Sequence, residues 1–277
     1  MLVIDPDVEH RSEDFDLDPE VVRAVWRMET AHFWFPSRNA WIARALERAG
    51  VAPAARVLDV GCGSGAVAAA LAARGHPVVG VDTAEVLVRK AHERCPRATF
   101  VATAIARLDP ALGPFDVVGF FDVLEHLDDP LALMRDAIAH ARPGALVVAT
   151  VPGVAALWSA LDVLYGHKRR YDAGQLARTF AAAGLADVAE HGLFRLLLPL
   201  MRVRRAHSTV PGDLEAQRRL ILADLRVPAA PVDALLRLAC RLEARLGFEA
   251  ARGRPGPTLL ATGRVPGGRA TGTGGPW

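Results

Sequence analysis

The chain has 277 residues, of which 51% are apolar, and a formal net charge of +2. This length and apolar content allow one large core with elaborations, and the small, dispersed positive charge argues against nucleic acid as the main partner. The three cysteines lack metal-site spacing, which favours free thiols in a reducing compartment. No stretch reaches 18 uninterrupted apolar residues and the acidic N-terminus does not resemble a signal peptide, so we expect a cytoplasmic protein without an integral membrane span.

The first 50 residues predict a helical cap in front of the core. Residues 18–50 are expected to form one or two helices, and they carry the aromatic cluster HFWFPSRNAW. Such a cluster either covers a site and excludes water from it or forms ordinary hydrophobic core. Its aromatic members are Phe33, Trp34, Phe35 and Trp41.

Between residues 51 and 198, short β-rich runs alternate with helices of roughly ten residues. The strand-like runs are RVLDVG, PVVGVD, ATFVAT, FDVVGFFDV and ALVVATVP, followed by ADVAEHGLF and, near the C-terminus, TLLATGRV. This alternation predicts a Rossmann-like, doubly wound α/β sheet of seven strands. Ligands of such sheets lie beyond the carboxyl ends of the strands, where the strand order reverses.

The remaining segments predict a helical insert or lid at 199–250, a last core strand at 251–265 and a disordered tail at 266–277. The run RLLLPLMRVRR is apolar with flanking arginines, and we expect it to pack under the insert; a substrate wall and a lipid-facing surface are the alternatives. The second helix of the insert gathers six apolar residues on one face: Val232, Leu235, Leu236, Ala239, Leu242 and Leu246.

The stretch VLDVGCGSG at residues 57–65 leads a buried strand into three glycines, Gly61, Gly63 and Gly65. Glycines at alternate positions indicate that the backbone approaches a ligand with no side chain in between. Together with the next residue the loop reads GCGSGA, which also fits the dinucleotide fingerprint, a weak signal by itself.

Two carboxylates bear on the choice of nucleotide cofactor, and one of them discriminates between the candidates. Asp82 ends the next strand, where a carboxylate accepts hydrogen bonds from the two ribose hydroxyls of either NAD or S-adenosylmethionine. Asp59, two residues before the first glycine, would repel a pyrophosphate but suits a cationic ligand with a free amino group. The sequence therefore predicts S-adenosylmethionine as the cofactor, with an NAD-linked oxidoreductase as the rival enzyme.

These motifs resemble those of class I S-adenosylmethionine-dependent methyltransferases. VLDVGCGSG is similar to the first motif of that family, VVGVD to the acidic second, FDVVGFFDVLEHLDDP to the segment after the fourth strand and RPGALVVATVP to the fifth strand. More loosely, HFWFPSRN and GHKRRYDAGQLARTFAAAGL are similar to uncharacterised bacterial members and distantly to ubiquinone-biosynthesis-type methyltransferases. The resemblance implies a cofactor site made of Trp34, Arg38, Asp59, Gly61, Cys62, Gly63, Gly65, Asp82, Thr83, Thr103, Ala104, Ile105, Phe121, Asp122 and Val123.

One position departs from the family pattern. Where the family usually places an acid for the adenine amino group, FVATAIARL offers Thr103, which still accepts a hydrogen bond, as does the backbone near Ile105. Arg38 is expected to grip the cofactor's carboxylate with two hydrogen bonds; a solvated arginine on an N-terminal helix is the alternative. Cys62 is expected to fill the loop rather than to act as a nucleophile, since no base is placed beside it.

Methyl transfer is an in-line displacement, so a base is needed only when the acceptor must lose a proton. His126, in DVLEH, and His167, in GHKRRY, are the candidate bases, with Tyr171 as an orienting group. The alternative for His126 is a histidine that only forms a hydrogen bond within its own loop. The alternative for GHKRRY is a solvated basic turn. Glu125 and His126 also have side chains that bind divalent ions, but the prediction includes no metal site.

The predicted function is transfer of the sulfonium methyl group to O, N or C of a small to medium organic acceptor, with secondary metabolism as one expected setting. A catalytically silent S-adenosylmethionine-binding regulator is the alternative from another class. We expect a small-molecule acceptor as the partner and no nucleic acid. A homodimer is one oligomeric state that the sequence leaves open.

Overall fold

Residues 1–5, 18–205 and 209–267 are described by a computed structural model of the chain, and eight strands within them form one sheet. The strands are β1 (Leu2–Ile4), β2 (Val57–Val60), β3 (Val78–Asp82), β4 (Thr99–Ala102), β5 (Phe115–Phe121), β6 (Ala141–Pro152), β7 (Ala186–Leu193) and β8 (Thr258–Arg264). Their order across the sheet is β1-β4-β3-β2-β5-β6-β8-β7. Neighbouring strands are parallel except around β8, which is antiparallel to both β6 and β7.

The predicted Rossmann-like α/β sheet is confirmed, but the predicted number of seven strands is wrong by one. The additional strand is β1, which lies in the segment predicted as a helical cap. It pairs in parallel with the edge strand β4, from Leu2 opposite Phe100 to Ile4 opposite Ala102. Three residues are too few for the period-two pattern of a strand to show in the sequence.

The glycine loop lies where the strand order reverses. β2 has β3 on one side and β5 on the other, so the carboxyl ends of these three strands meet at one edge of the sheet. In the register, Asp59 lies between Gly80 of β3 and Gly119 of β5. Neither neighbour has a side chain, and the space that one would take is occupied by Phe100 and Cys62 at Gly80 and by Phe121 at Gly119.

Apolar side chains cover both faces of the sheet. One face buries Trp41, Ile42, Leu71 and Phe100. The other buries Phe115, Phe120, Met134 and Phe180. Because each such side chain contributes about 1.5–3 kcal/mol when fully buried, the two layers hold the edge that carries the glycine loop in place.

Ten α-helices lie within the described residues: α1 (Pro19–Ala31), α2 (Trp34–Arg48), α3 (Ala66–Ala72), α4 (Glu85–Arg94), α5 (Pro130–Ile138), α6 (Ala160–Leu164), α7 (Gln175–Ala182), α8 (Leu198–Arg205), α9 (Leu214–Asp224) and α10 (Ala230–Leu246). Aspartate side chains cap α1, α5 and α9 by accepting backbone N–H groups of the first turn. α3 starts directly after the glycine loop, so its free N–H groups face the ligand edge of the sheet.

The N-terminal helices and the helices after β7 pack together. A small apolar cluster joins α1 to α9: Val21, Ile221 and Leu225. Beside it, Arg218 Nε donates to Asp18 Oδ2 over 2.7 Å. At the turn between α1 and α2, the Phe33 backbone N–H donates to Asp233 Oδ1 of α10 over 2.8 Å. The predicted division into cap, core and insert stays a prediction.

The run RLLLPLMRVRR does not pack under the insert as expected. Leu197 is buried, but in α8 Leu200 is 52% exposed and Val203 is 77% exposed. Arg202 and Arg204 explain this, because their exposed guanidinium groups need water and hold this side of the helix at the surface.

The apolar face of α10 is also largely exposed, at Val232, Leu235 and Leu242. Leu236 and Ala239 are partly buried, whereas the side chain of Leu246 lies outside the described part of the chain. Among the described residues, no helix has the length and apolar character needed to cross a membrane. The predicted tail falls almost wholly on residues 268–277, which are also outside the described part.

Candidate functional site

The glycine loop turns sharply from β2 into α3. The backbone N–H groups of Gly61 and Cys62 both donate to the Val81 carbonyl, over 2.8 and 3.1 Å. A Cβ on Gly61 would lie 2.6 Å from a methyl of Val123, so close packing requires this glycine. Gly63 has a φ of +50°, and a Cβ there would meet nothing within 4 Å. The backbone at Gly63 is therefore open to a ligand.

Asp82 ends β3 beside this open backbone. Its Oδ2 accepts from the Gly63 N–H over 2.8 Å, and its Oδ1 accepts from the Ala84 N–H over 2.9 Å. Burial raises the pKa of its carboxyl, although these backbone bonds work against the rise. Each oxygen keeps a second lone pair, so the carboxylate can still accept from two hydroxyl groups. Thr83, next along the chain, is exposed.

Asp59 is a buried carboxylate, 1% exposed, that lies within β2. Its Oδ2 has no hydrogen-bond partner among the described residues. Burial raises the pKa of this carboxyl to about 7, and the negative charge of Asp82 adds to the rise while the positive charge of Arg38 opposes it. A buried, unpartnered carboxylate oxygen is destabilising unless a cation or a donor reaches it.

Arg38 reaches the same edge from α2, where it is 4% exposed. Its Nη1 donates to Asp122 Oδ2, while its Nε has no partner among the described residues. Asp122 directly follows β5 with a φ of +57° and also accepts from Thr150 Oγ1 over 3.0 Å. The structure therefore places Arg38 in the predicted cofactor site, paired with a carboxylate of the protein rather than solvated.

The other predicted cofactor residues lie along this edge of the sheet or in the hydrophobic core next to it. Trp34 stacks on Phe194 with ring centroids 4.0 Å apart. Burial raises the pKa of the Cys62 thiol well above its usual value, which suits a filler rather than a nucleophile. Ile105 and Phe121 are buried, and Ala104 precedes the short turn that begins at Ile105.

An acid missed by the sequence reasoning lies beside Thr103. The Thr103 hydroxyl donates to Asp5 Oδ2 over 2.9 Å, and Arg107 also donates to Asp5. Asp5 follows β1 directly, as Asp82 ends β3, so parallel pairing brings it to the ligand edge of the sheet. The only feature of the sequence that could have indicated Asp5 is the short run LVID, in which three apolar residues precede it. A carboxylate therefore lies beside Thr103, although it comes from the segment after the N-terminal strand and not from FVATAIARL.

The sequence reasoning also missed a contact between α1 and the glycine loop. Ser64 Oγ donates to Glu29 Oε2 over 2.6 Å, and Arg94 Nη2 pairs with the same oxygen over 2.7 Å. The Arg94 guanidinium lies over the Trp26 ring at 3.9 Å from its centroid. α1 is therefore bound directly to the loop that it covers.

The two predicted bases lie side by side. The imidazoles of His126 and His167 meet nearly at right angles, with ring centroids 4.9 Å apart. Burial lowers the pKa of His126 to about 4, and the charge of His167 adds to this although the Gly166 carbonyl accepts from its ring. His126 is therefore neutral and a weak base at pH 7.

His167 is oriented by a buried carboxylate. Its Nδ1 lies 3.0 Å from Asp162 Oδ1. Burial alone would raise the pKa of Asp162, but hydrogen bonds from His167 and Arg170 and the charge of Arg205 hold it well below its usual range. Since Asp162 stays ionised, it fixes the proton on Nδ1 and leaves the Nε2 lone pair of His167 pointing away.

Tyr171 and Glu125 complete this end of the site. The Tyr171 hydroxyl donates to the Leu124 carbonyl over 3.4 Å, its ring is 4% exposed, and burial raises its pKa to about 12. Glu125 is 1% exposed, and its Oε2 has no partner among the described residues. Burial, reinforced by the charge of Asp122, raises the pKa of Glu125 well above its usual value.

The edge can hold a cationic nucleotide at one end and activate a nucleophile at the other. A cofactor with a ribose and an ammonium group fits the open backbone at Gly63, the free acceptor positions of Asp82 and the unpartnered oxygen of Asp59, whereas a pyrophosphate would meet a buried anion. The fold and this edge define a class I S-adenosylmethionine-dependent methyltransferase. A family model described as a methyltransferase domain matches residues 26–190, and the chain belongs to that family.

Curated relatives agree with this class. The chain is 29% identical, over 174 residues and 62% of each chain, to a protein of Mycobacterium tuberculosis described as a probable S-adenosylmethionine-dependent methyltransferase. It is 32% identical over 156 residues to a ubiquinone biosynthesis O-methyltransferase of Idiomarina loihiensis, covering 50% of this chain and 64% of the relative. The chain thus spans less than two thirds of the length of these relatives.

A solved structure confirms the fold. The [4+2]-cyclase SpnF matches with a TM-score of 0.52 and 20% identity, over 86% of this chain and 85% of SpnF. At this identity the likeness concerns the fold alone. Because SpnF is a cyclase, the reaction has to be argued from the side chains of the site.

Proposed function

We propose that this chain transfers the methyl group of S-adenosylmethionine to an oxygen, nitrogen or carbon atom of a small to medium organic acceptor. The observation that carries the proposal is the unpartnered, buried Oδ2 of Asp59 beside the open backbone of Gly63. An amino-acid ammonium group would satisfy that oxygen, and no part of NAD offers such a cation at the glycine loop. Membership of the methyltransferase domain family supports the same proposal.

The cofactor would lie along the carboxyl edge of β2 to β5. Asp82 would accept from the two ribose hydroxyls, and Asp5 with Thr103 would face the adenine amino group. Arg38 would turn its unpartnered Nε toward the cofactor's carboxylate. The cofactor supplies an electrophilic methyl on a sulfonium, and the chain's part is to orient it and to exclude water.

The acceptor would bind at the end of the site that holds His126 and His167. The negative charge of Asp122 acts on both His126 and Glu125, and Arg38 acts on Glu125, so this end is continuous with the cofactor edge. With no ion bound, His167 is the stronger base candidate, because Asp162 holds its Nδ1 and leaves Nε2 available to an acceptor. The ubiquinone-biosynthesis relative is named as an O-methyltransferase, which supports a hydroxyl as the acceptor group.

A cofactor-binding experiment tests this proposal. Calorimetry of the full chain with S-adenosylmethionine, its demethylated product and NAD should show binding of the first two and not of NAD. Asp82→Ala should weaken binding by about 1.5–3 kcal/mol, the scale for hydrogen bonds to a charged group. Binding of NAD alone would establish the oxidoreductase instead.

Turnover separates an enzyme from a silent binding protein. Formation of the demethylated cofactor over a broad panel of small hydroxyl, amine and carbon nucleophiles is the expected result. Cofactor binding with no turnover on any of them would favour the regulator. The setting in secondary metabolism, the cytoplasmic location and the homodimer stay predictions.

A further inference from the structure

The strongest unexplained feature is the group of three side chains at the acceptor end of the site. Glu125, His126 and His167 each offer one ligand atom, and these three atoms lie within 4.8 Å of one another. Glu125 and His126 follow β5, whereas His167 follows α6. The sequence prediction paired Glu125 with His126 but included no metal, because His167 is 41 positions away in the chain and only the fold brings it near.

Each member keeps a lone pair for a shared ligand. The Oε2 of Glu125 is buried and has no partner among the described residues. His167 uses Nδ1 on Asp162, so its Nε2 is available. His126 contributes one ring nitrogen to the group. A carboxylate oxygen with no partner, next to two imidazoles of which one is oriented by a second carboxylate, is an arrangement found around bound metal ions.

We infer that Glu125, His126 and His167 form a divalent metal site that holds the oxygen of the methyl acceptor. Two imidazole nitrogens and one carboxylate suit Zn²⁺, or Co²⁺ in its place, better than Mg²⁺, which prefers oxygen ligands. Three protein ligands leave a fourth position open in a tetrahedral site.

The outer partners of the cluster support this assignment. Asp162 also accepts from Arg170 Nε over 2.7 Å and from Arg205 Nη1 over 2.9 Å. It is therefore held rigidly as it orients His167. The backbone N–H of Lys168 donates to the Glu125 carbonyl over 2.8 Å, which ties the loop carrying His167 to the one carrying Glu125.

The metal would assist transfer to a hydroxyl, and this part rests on the proposed function. A hydroxyl bound at the open position loses its proton to water, because the ion lowers the hydroxyl pKa. The oxygen then bonds to the methyl carbon as the carbon–sulfur bond breaks, and the sulfonium becomes a neutral thioether. The ion thereby takes over the role that His167 would have as a base.

Metal binding is tested without any acceptor. The untagged full chain, freed of metal with a chelator, is dialysed against Zn²⁺, and bound zinc is counted by mass spectrometry. We expect one equivalent, with the affinity reduced at least tenfold in Glu125→Gln and in His167→Asn. His140→Asn, at the opposite edge of the sheet before β6, is the matched control and should bind as the wild type does.

Co²⁺ gives a second readout. Its visible absorption reports the ligand geometry, and we expect bands that are lost in Glu125→Gln but kept in His140→Asn. Circular dichroism of each variant checks that it folds; if one site variant does not, His126→Asn replaces it.

A wild type that binds no zinc, or site variants that bind it as tightly as His140→Asn, would overturn the inference. Cofactor binding is measured separately. A chain that binds S-adenosylmethionine and transfers methyl groups without metal refutes only the metal site, whereas zinc binding without cofactor binding refutes only the proposed function.

Discussion

Asp59 gives a quantitative prediction about the pH dependence of cofactor binding. Burial raises the pKa of its carboxyl to about 7. When the ionised form binds the cofactor's ammonium, affinity must fall as Asp59 takes up a proton. With that pKa, the ionised fraction drops from about one half at about pH 7 to about 3% at about pH 5.5, so the affinity falls about 16-fold. The ligand's own ammonium stays protonated in this range, since an α-amino group has a pKa of about 7.7–8.0.

The assay is calorimetry with the demethylated cofactor, which has the same amino-acid end and cannot react. Asp59→Asn should remove the pH dependence and weaken binding at neutral pH by about 1.5–3 kcal/mol, because an amide cannot pair with the ammonium. Asp136→Asn, an exposed aspartate on α5, is the control and should keep the wild-type profile. A slope that persists in Asp59→Asn would refute the reasoning, as would a flat wild-type profile.

The same shift predicts an effect on stability. The pKa of Asp59 is higher in the folded chain, about 7, than its ordinary value of 3.8. The folded state therefore binds the proton more tightly, and the free energy of unfolding falls as pH rises from about 4 to about 7 and stays low above it. About three pKa units set an upper limit of about 4 kcal/mol. Asp59→Asn should stabilise the ligand-free chain at pH 8 but not at pH 4, as measured by urea unfolding.

Three further predictions concern other parts of the site. Arg38→Lys should weaken binding of the cofactor about tenfold but leave a decarboxylated analogue unchanged in calorimetry, because lysine cannot hold Asp122 and the cofactor's carboxylate with separate N–H groups in the fixed geometry of a guanidinium. Equal losses would show that the residue only supports the fold. Asp5→Asn should remove the preference for adenine over its 6-oxo analogue, a change of about 1 kcal/mol, and an unaltered preference would exclude this contact. At least one of His126→Ala and His167→Ala should lower kcat by about 10² to 10⁴ while the cofactor affinity changes by no more than a few fold. Tyr171→Phe should lower kcat by less. Near wild-type turnover in both histidine variants would mean that catalysis depends on the alignment of the reactants alone.

The sequence was sufficient to predict the central sheet because its signals are local. The runs around VLDVGCGSG and VVGVD have the apolar content of buried parallel strands, and the glycines and acids follow them at fixed distances. The positions of Asp59, Asp82 and Gly63 therefore follow from the register of neighbouring strands. The roles assigned to these residues stay predictions.

Contacts between distant segments could not be predicted in this way. Arg38 meets Asp122 across 84 positions, and the two histidines meet only because the loop after α6 folds back over the end of β5. The exposure of α8 was also missed, since an apolar run flanked by arginines suits both a buried helix and one at the surface. Such outcomes depend on tertiary packing, which periodicity within one segment does not report.

The segment before the core makes several contacts at the cofactor end of the proposed site. Asp5 reaches Thr103, Glu29 holds Ser64 of the glycine loop, and Arg38 lies against the carboxyl ends of β2 and β5. The family match begins at residue 26, so the contact from Asp5 is added by a part of the chain outside the matched domain. We expect α6 and the helices packed against it, which include α1 and α9, to contribute to the choice of acceptor, because His167 follows α6.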